Sequence, residues 1–292
     1  MSSAASFVIP VDKPAGPTSH DVVARARRAF GTRRIGHTGT LDPFASGLLL
    51  LCVGNATRVA EYLTDLPKTY HAHARLDGRT LTDDNTADVI DASDAWRHIT
   101  ETQIRTALQA QTGAIMQMPP QYSAKKIAGE RAYEIARRGD VATLTPVPVN
   151  IYRIDLRSVQ LPDVEFDVEC SSGTYIRAIA RDLGAALGTG GYLTALRRTR
   201  VGKHDVAHAV PMDELGDEAR VREAALTPMQ AIEHMEAIEL NDDEVRAIRF
   251  GQKIERQTSG AEPVRLTQRG ELIAIAKPVD GRLKPHKVFA DA

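Results

Sequence analysis

Apolar and polar positions are patterned along this chain closely enough to predict most of its elements. Residues 6–11 read as a short strand. The apolar spacing after Thr18 or Ser19 predicts a helix over 19–30, capped by one of those hydroxyls and stopped by Gly31. Residues 36–47 are too rich in Gly, Thr and Pro for an element and read as a loop. The continuous apolar run at 48–53 reads as a buried strand, and Asn55 is expected to cap a short helix to Leu63. Residues 68–76 alternate as a strand does. Thr100 and Gln103 form a capping box for a helix to about Gln111. Residues 130–138 read as a helix stopped by Gly139, 147–156 and 164–170 as strands, and 174–187 as a helix closed by Gly188. Beyond Val210 come short acidic helices broken at Pro211 and Pro228. Asn241 caps a helix to Phe250, and strands at 264–267 and 272–276 turn through Arg269-Gly270. This mixture predicts an α+β fold: a mixed, largely antiparallel sheet with flanking helices, and a small β-rich second domain.

Composition narrows the class. The 292 residues are 42% hydrophobic and 26% charged, as in an ordinary globular protein. At this length one large domain plus a small one is expected. The longest apolar run, 48–53, is far too short to span a bilayer, so no membrane partner is expected. The first ten residues hold no charged stretch followed by an apolar one, so a secretory signal is not expected. Cys52 and Cys170 are 118 positions apart, which does not suggest a disulfide framework or a zinc ribbon. Both are expected to be buried thiols in a reducing cytoplasm.

Charge changes the picture more. The formal net charge is −1, from 37 Lys+Arg against 38 Asp+Glu. Residues 1–40 carry net +4, 125–139 net +3 and 170–204 net +5, whereas 211–243 carry net −8. The near-zero total is a cancellation. The three basic runs are expected to converge on one face, with the acidic segment away from it.

Four segments could carry chemistry. Gly36-His37-Thr38-Gly39-Thr40-Leu41-Asp42-Pro43 combines two glycines with a carboxylate. The following proline restricts that carboxylate's backbone. Asp42 suits a nucleophile or base; a plain Asp-Pro turn is the other reading. The Lys-Ser/Thr of a phosphate loop is missing. In Ser171-Ser172-Gly173-Thr174-Tyr175-Ile176-Arg177 the arginine falls in the first turn of a helix. The helix dipole disfavours a cation there, which points to an acidic or phosphate partner. Lys68-Thr69-Tyr70 starts a strand with an aromatic, and Pro119-Pro120-Gln121-Tyr122-Ser123-Ala124-Lys125-Lys126 is a basic loop. His71 and His73 share one strand face, but the sequence specifies no acidic third ligand, so no metal is expected.

Taken in order, these segments resemble the bacterial tRNA pseudouridine synthase B family. The resemblance runs through Asp12-Lys13-Pro14-Ala15-Gly16-Pro17-Thr18-Ser19-His20-Asp21, then 36–49, Lys68-Thr69-Tyr70 and Pro119 to Lys125. It continues through Gly173-Thr174-Tyr175-Ile176-Arg177, Asp182-Leu183-Gly184 and Leu196-Arg197-Arg198. A looser match around Phe250-Gly251 and Lys277-Pro278 is similar to a PUA-type RNA-binding module. The resemblance implies a catalytic domain at 1–235 and a PUA-like domain at 236–292. It implies isomerisation of the T-loop uridine at tRNA position 55, with base flipping and no cofactor, by a cytoplasmic monomer that contacts the T-arm. No protein partner is implied. Asp42 would be the reacting carboxylate, paired with Arg177, and Tyr70 would stack on the flipped base. Tyr175 and Leu196 would line the pocket, and His37 would fill the space the base leaves. Lys13 would shape the Asp42 loop or touch phosphate. One departure stands out: the family's Thr-Asp-Thr-x-Asp-x-x-Gly is replaced by residues 80–89, without the glycine. Two other functions compete. A non-catalytic tRNA-binding or RNA-folding protein would use the same groove. A glycoside hydrolase would need a second carboxylate near Asp42.

Overall fold

The computed structural model describes residues 6–122, 126–127, 130–131, 138 and 143–289. A ten-stranded sheet organises the larger part. Its strands are β1 (Phe7–Lys13), β2 (Ile35–His37), β3 (Ser46–Val53), β4 (Lys68–Arg75) and β5 (Gly113–Gln117). They continue with β6 (Val147–Gln160), β7 (Asp163–Cys170), β8 (Tyr192–Val201), β9 (His204–Asp205) and β10 (Val210–Pro211). The spatial order is β10-β1-β3-β8-β4-β7-β6-β5, with β2 on β3 and β9 on β8. The β1–β10 and β3–β8 pairs are parallel and the other pairs antiparallel, so the mixed, largely antiparallel expectation holds.

The helices form where caps and stops coincide. Helix α1 (Ser19–Phe30) opens on a Thr18–Asp21 capping box and ends at Gly31, whose φ of 63° suits glycine. After the short α2 (Ala60–Thr64), α3 (Glu101–Gln109) opens on the Thr100–Gln103 box. Helix α4 (Ile176–Leu187) ends at Gly188 and has no side-chain cap at its start. Helix α3 packs on β6 and α4, and α4 on β4 and β8, in one core that holds Tyr70, Phe166, Ile179 and Leu183, all buried. Helix α1 covers β1 and β3 through Val22, Ile9 and Leu51. Strand β4 alternates strictly: Tyr70, Ala72 and Ala74 are buried, while Thr69, His71, His73 and Arg75 are half-buried on the other face.

Beyond the sheet come α5 (Glu218–Ala224), α6 (Pro228–Ala231) and α7 (Asp242–Arg249). A second sheet holds β11 (Ala237–Glu239), β12 (Val264–Gln268), β13 (Glu271–Val279) and β14 (Arg282–Val288) in that order. It has its own core of Val245, Ile248, Leu266 and Leu283. Ile275 joins it to the main body among Val8, Leu63 and Ile232.

Several expectations need correction. Residues 36 and 37 are not loop, because Ile35–His37 pairs with β3. Asn55 caps nothing; its side chain accepts from Arg34, and Gly54–Val59 forms a 3-10 turn leading into α2. The helix expected over 130–138 begins as a strand, since Glu130–Arg131 pairs with Lys126–Ile127. The rest of that stretch, apart from Arg138, lies outside the described residues. Both cysteines are free and buried. Among the described residues no helix is long and apolar enough to cross a membrane.

Candidate active site

The loop bearing Asp42 is held from both sides. Ser19 Oγ accepts from the Leu41 N–H at 2.8 Å and donates to the Leu41 carbonyl at 3.1 Å. On the other side the Gly16 N–H donates to the Pro43 carbonyl at 2.7 Å. Lys13 is fully buried and donates to the carbonyls of Pro14, Pro17 and Pro43. Burial lowers its ammonium to about 8. The Asp12–Ser19 segment therefore works as a cradle that leaves the Asp42 backbone little freedom. His37 adds to it: its Nδ1 accepts from the Gly39 N–H at 3.3 Å.

Opposite the loop stands Arg177, in the first turn of α4 and only 4% exposed. Its Nε lies 2.9 Å from Asp42 Oδ2. That N–H is not aimed at the oxygen, so the contact is an ion pair rather than an aligned hydrogen bond. Nη1 donates to the Thr82 carbonyl and Nη2 to the Tyr122 carbonyl, at 2.8 and 2.9 Å. Nη1 also lies 3.4 Å from Asp84 Oδ2. Asp84 is buried and accepts from Thr82 Oγ1, Thr86 N and Thr86 Oγ1. Enclosure by protein pushes the Asp42 carboxyl above its usual range; Arg177 opposes that rise and Asp84 adds to it.

Asp42, Tyr70, Tyr175, Leu196 and Arg177 meet around one cavity of about 250 Å³. Tyr70 is 7% exposed, and burial raises its phenol above the usual value, with nearby Arg198 opposing. The Tyr175 backbone is fixed by buried Gln117, whose amide accepts from its N–H at 2.9 Å and donates to its carbonyl at 3.1 Å. Two more cations line the cavity. Arg198 is 1% exposed and donates to the carbonyls of Leu48 and Gly39. Lys68 donates to those of Thr64 and Leu66, and burial lowers it to about 8. This enclosed, cation-rich pocket with one partly accessible carboxylate suits an anionic or polar ring held beside Asp42.

Two of the candidates lie apart from the cavity lining: Lys13 sits under the Asp42 loop, and His37 braces Gly39. Burial denies Lys13 any contact with phosphate in this conformation. The sequence reading missed Arg198, Lys68, Gln117 and Asp84 as site residues. Arg198 and Lys68 stood inside motifs already singled out. Asp84 lay in the altered 80–89 segment, where its acid-rich run was the available signal. Asp84 is the second carboxylate that a glycoside hydrolase would need, but it is turned onto Arg177 and does not line the cavity.

Comparison with known proteins identifies the family. Residues 27–176 match the TruB family pseudouridylate synthase N-terminal domain. Residues 177–238 match the tRNA pseudouridylate synthase B C-terminal domain, and 237–289 the C-terminal domain of pseudouridine synthase II TruB. The chain is 44% identical to tRNA pseudouridine synthase B of Arthrobacter sp. (strain FB24), covering 98% of this chain and 97% of the relative. It is 51% identical to the Mycobacterium avium (strain 104) protein of the same name, over 72% of this chain and 69% of that one. Among solved structures, a chain of an H/ACA ribonucleoprotein bound to a substrate RNA containing 2'-deoxyuridine superposes with a TM-score of 0.76. The two are 26% identical, over 98% of this chain and 85% of that one.

Proposed function

The chain belongs to the TruB family of pseudouridylate synthases and acts as a tRNA pseudouridine synthase, an isomerase; from that premise we propose that Asp42 is its reacting carboxylate. Tyr70 and Arg177 complete the catalytic set, and the target is the T-loop uridine at position 55 of the T-arm. In this reaction the N-glycosidic bond breaks, the uracil turns while held, and a carbon–carbon bond to the ribose replaces it. No atom leaves, so the pocket must retain free uracil and exclude water. The uridine is flipped out of its stack to reach the cavity. Tyr70 packs on the flipped base, an interaction worth roughly 1–3 kcal/mol. Tyr175 and Leu196 wall the pocket. Lys13 shapes the Asp42 loop, and His37 takes the place the base vacates in the T-loop. Residues 1–235 form the catalytic domain and 236–292 a PUA-like RNA-binding domain, a division supported by the separate core of the second sheet. The enzyme works as a cytoplasmic monomer, where tRNA is present.

The observation that carries this reading is the Asp42–Arg177 ion pair at the wall of a cavity that also holds Tyr70. Asp42→Asn keeps shape and removes charge. With an unmodified tRNA transcript it should form pseudouridine at least about a thousandfold more slowly, while tRNA Kd changes by less than about threefold, since the carboxylate removed acts in the reaction rather than in holding the tRNA. Pseudouridine mapped at position 55 with wild-type activity in this variant would overturn the assignment. Loss of binding in parallel with turnover would favour a purely RNA-binding role for the loop.

A further inference from the structure

On the face of β4 away from the cavity, strand alternation presents His71 and His73 side by side. Strand β7 runs antiparallel beside it and sets Glu165 opposite His73 and Asp167 opposite His71. The register thus supplies the acidic partner that the sequence did not specify. His71 Nε2 lies 3.5 Å from one Glu165 carboxylate oxygen, and His73 Nδ1 lies 3.7 Å from the other. The donor atoms of His71, His73 and Glu165 all fall within 4.8 Å of one another. The two imidazoles meet edge to face, 5.1 Å between centroids.

We propose that His71, His73 and Glu165 bind one zinc-class divalent cation, with Asp167 orienting His71. A tetrahedral ion with bonds of about 2.1 Å separates its ligand atoms by about 3.4 Å. The 3.5 and 3.7 Å contacts, one to each Glu165 oxygen, are close to that edge, and side-chain rotations that draw the donors in from within 4.8 Å close the set. His71 Nδ1 lies 2.7 Å from Asp167 Oδ1, and Arg157 Nε holds the other oxygen at 2.7 Å. A carboxylate on Nδ1 keeps the proton there and leaves the Nε2 lone pair for a metal, the arrangement that supports histidine ligands generally. Arg197 pairs in register with His71 on the neighbouring strand, but Asp12 binds its guanidinium at 3.0 and 2.7 Å and offsets its charge. Three protein donors on two central strands leave a fourth position for water. The three side chains are 34–41% exposed, so an ion enters directly from solvent. The cation would tie β4 to β7 across the sheet from Asp42 and take no part in the isomerisation.

The test is titration of the full, chelator-treated chain with Zn2+ alone, read by calorimetry, and with Co2+, read by its visible absorption. One Zn2+ should bind per chain, and Co2+ should give the intense bands of a four-coordinate ion. His73→Gln and Glu165→Gln should each weaken Zn2+ binding at least about tenfold, and Asp167→Asn about 10- to 100-fold. Pseudouridine formation should persist in all three, which also shows that they fold. Absence of stoichiometric binding, or undiminished binding in both His73→Gln and Glu165→Gln, overturns the proposal.

Discussion

At the residue scale the site turns on how one carboxylate stays ionised. Burial raises the Asp42 pKa, and Arg177 is the largest influence opposing it. In the proposed role Asp42 reacts as a carboxylate, so activity should rise with pH through its raised pKa and be lost below it. Removing Arg177 removes the opposing charge and should move that acid limb upward by about 1–3 units. Arg177→Met should therefore lower turnover most on the acid side of the profile, with tRNA Kd changed by less than about threefold. A pH–rate profile whose acid limb stays in place would sink the pairing. Asp42, Arg177 and Tyr70 were legible as site candidates through the family resemblance of the segments that hold them; spacing alone left each a plainer reading. Asp84 was not. It reaches Arg177 only because the Asp83 carbonyl accepts from the Leu193 N–H and Thr82 and Thr86 close around its carboxylate. The Leu193–Asp83 bond spans more than a hundred positions of sequence and leaves no local period.

At the scale of elements, α4 decides where Arg177 stands, and its docking depends on Gly184. A Cβ there would lie 2.1 Å from the Gly190 backbone. Alanine normally gains about 1 kcal/mol over glycine inside a helix. Here the clash is with backbone, which cannot swing aside as a side chain does, and overpacking of this kind costs about 1–3 kcal/mol or more. The clash should win. Gly184→Ala should lose about 1–2 kcal/mol net in urea unfolding and should reduce turnover by displacing Arg177; equal or greater stability would show that α4 tolerates a shift. Elements with paired signals were readable in the sequence: α1 and α3 from their capping boxes, α4 from its apolar face and Gly188, β4 from its alternation. Strand β14 was not. Its sequence Arg-Leu-Lys-Pro-His-Lys-Val is mostly polar, with Leu283 alone buried. Its pairing with β13 makes it a strand, and no apolar pattern announces it.

For the whole molecule, the segregated charge resolves differently from the sequence expectation. The acidic segment is not held apart from the basic runs: Arg25 donates to the carbonyls of Met212 and Asp213, and Lys203 pairs with Glu233. Many of the cations in those runs are structural. Lys13, Arg177 and Arg198 are buried, and Arg181 and Arg197 are paired with Asp83 and Asp12. Among the described residues of the first and third runs, Arg28, Arg33, Arg34 and Arg200 are exposed with no carboxylate partner. Among the described residues of those two runs these four are the cations best placed to meet phosphate, Arg34 by giving up its bonds to Thr57 and Asn55. Each phosphate neutralised adds about 0.7–0.9 to the slope of log K against log salt. Four contacts give a slope near −3, or about a hundredfold loss of tRNA affinity between 50 and 200 mM salt. The Arg28→Ala, Arg33→Ala double variant should reduce the slope by about 1.4–1.8 and weaken binding to all tRNA sequences alike. Turnover at saturating tRNA should stay unchanged, because neither residue lines the cavity. A slope that the double variant does not alter would place the RNA on another face of the molecule.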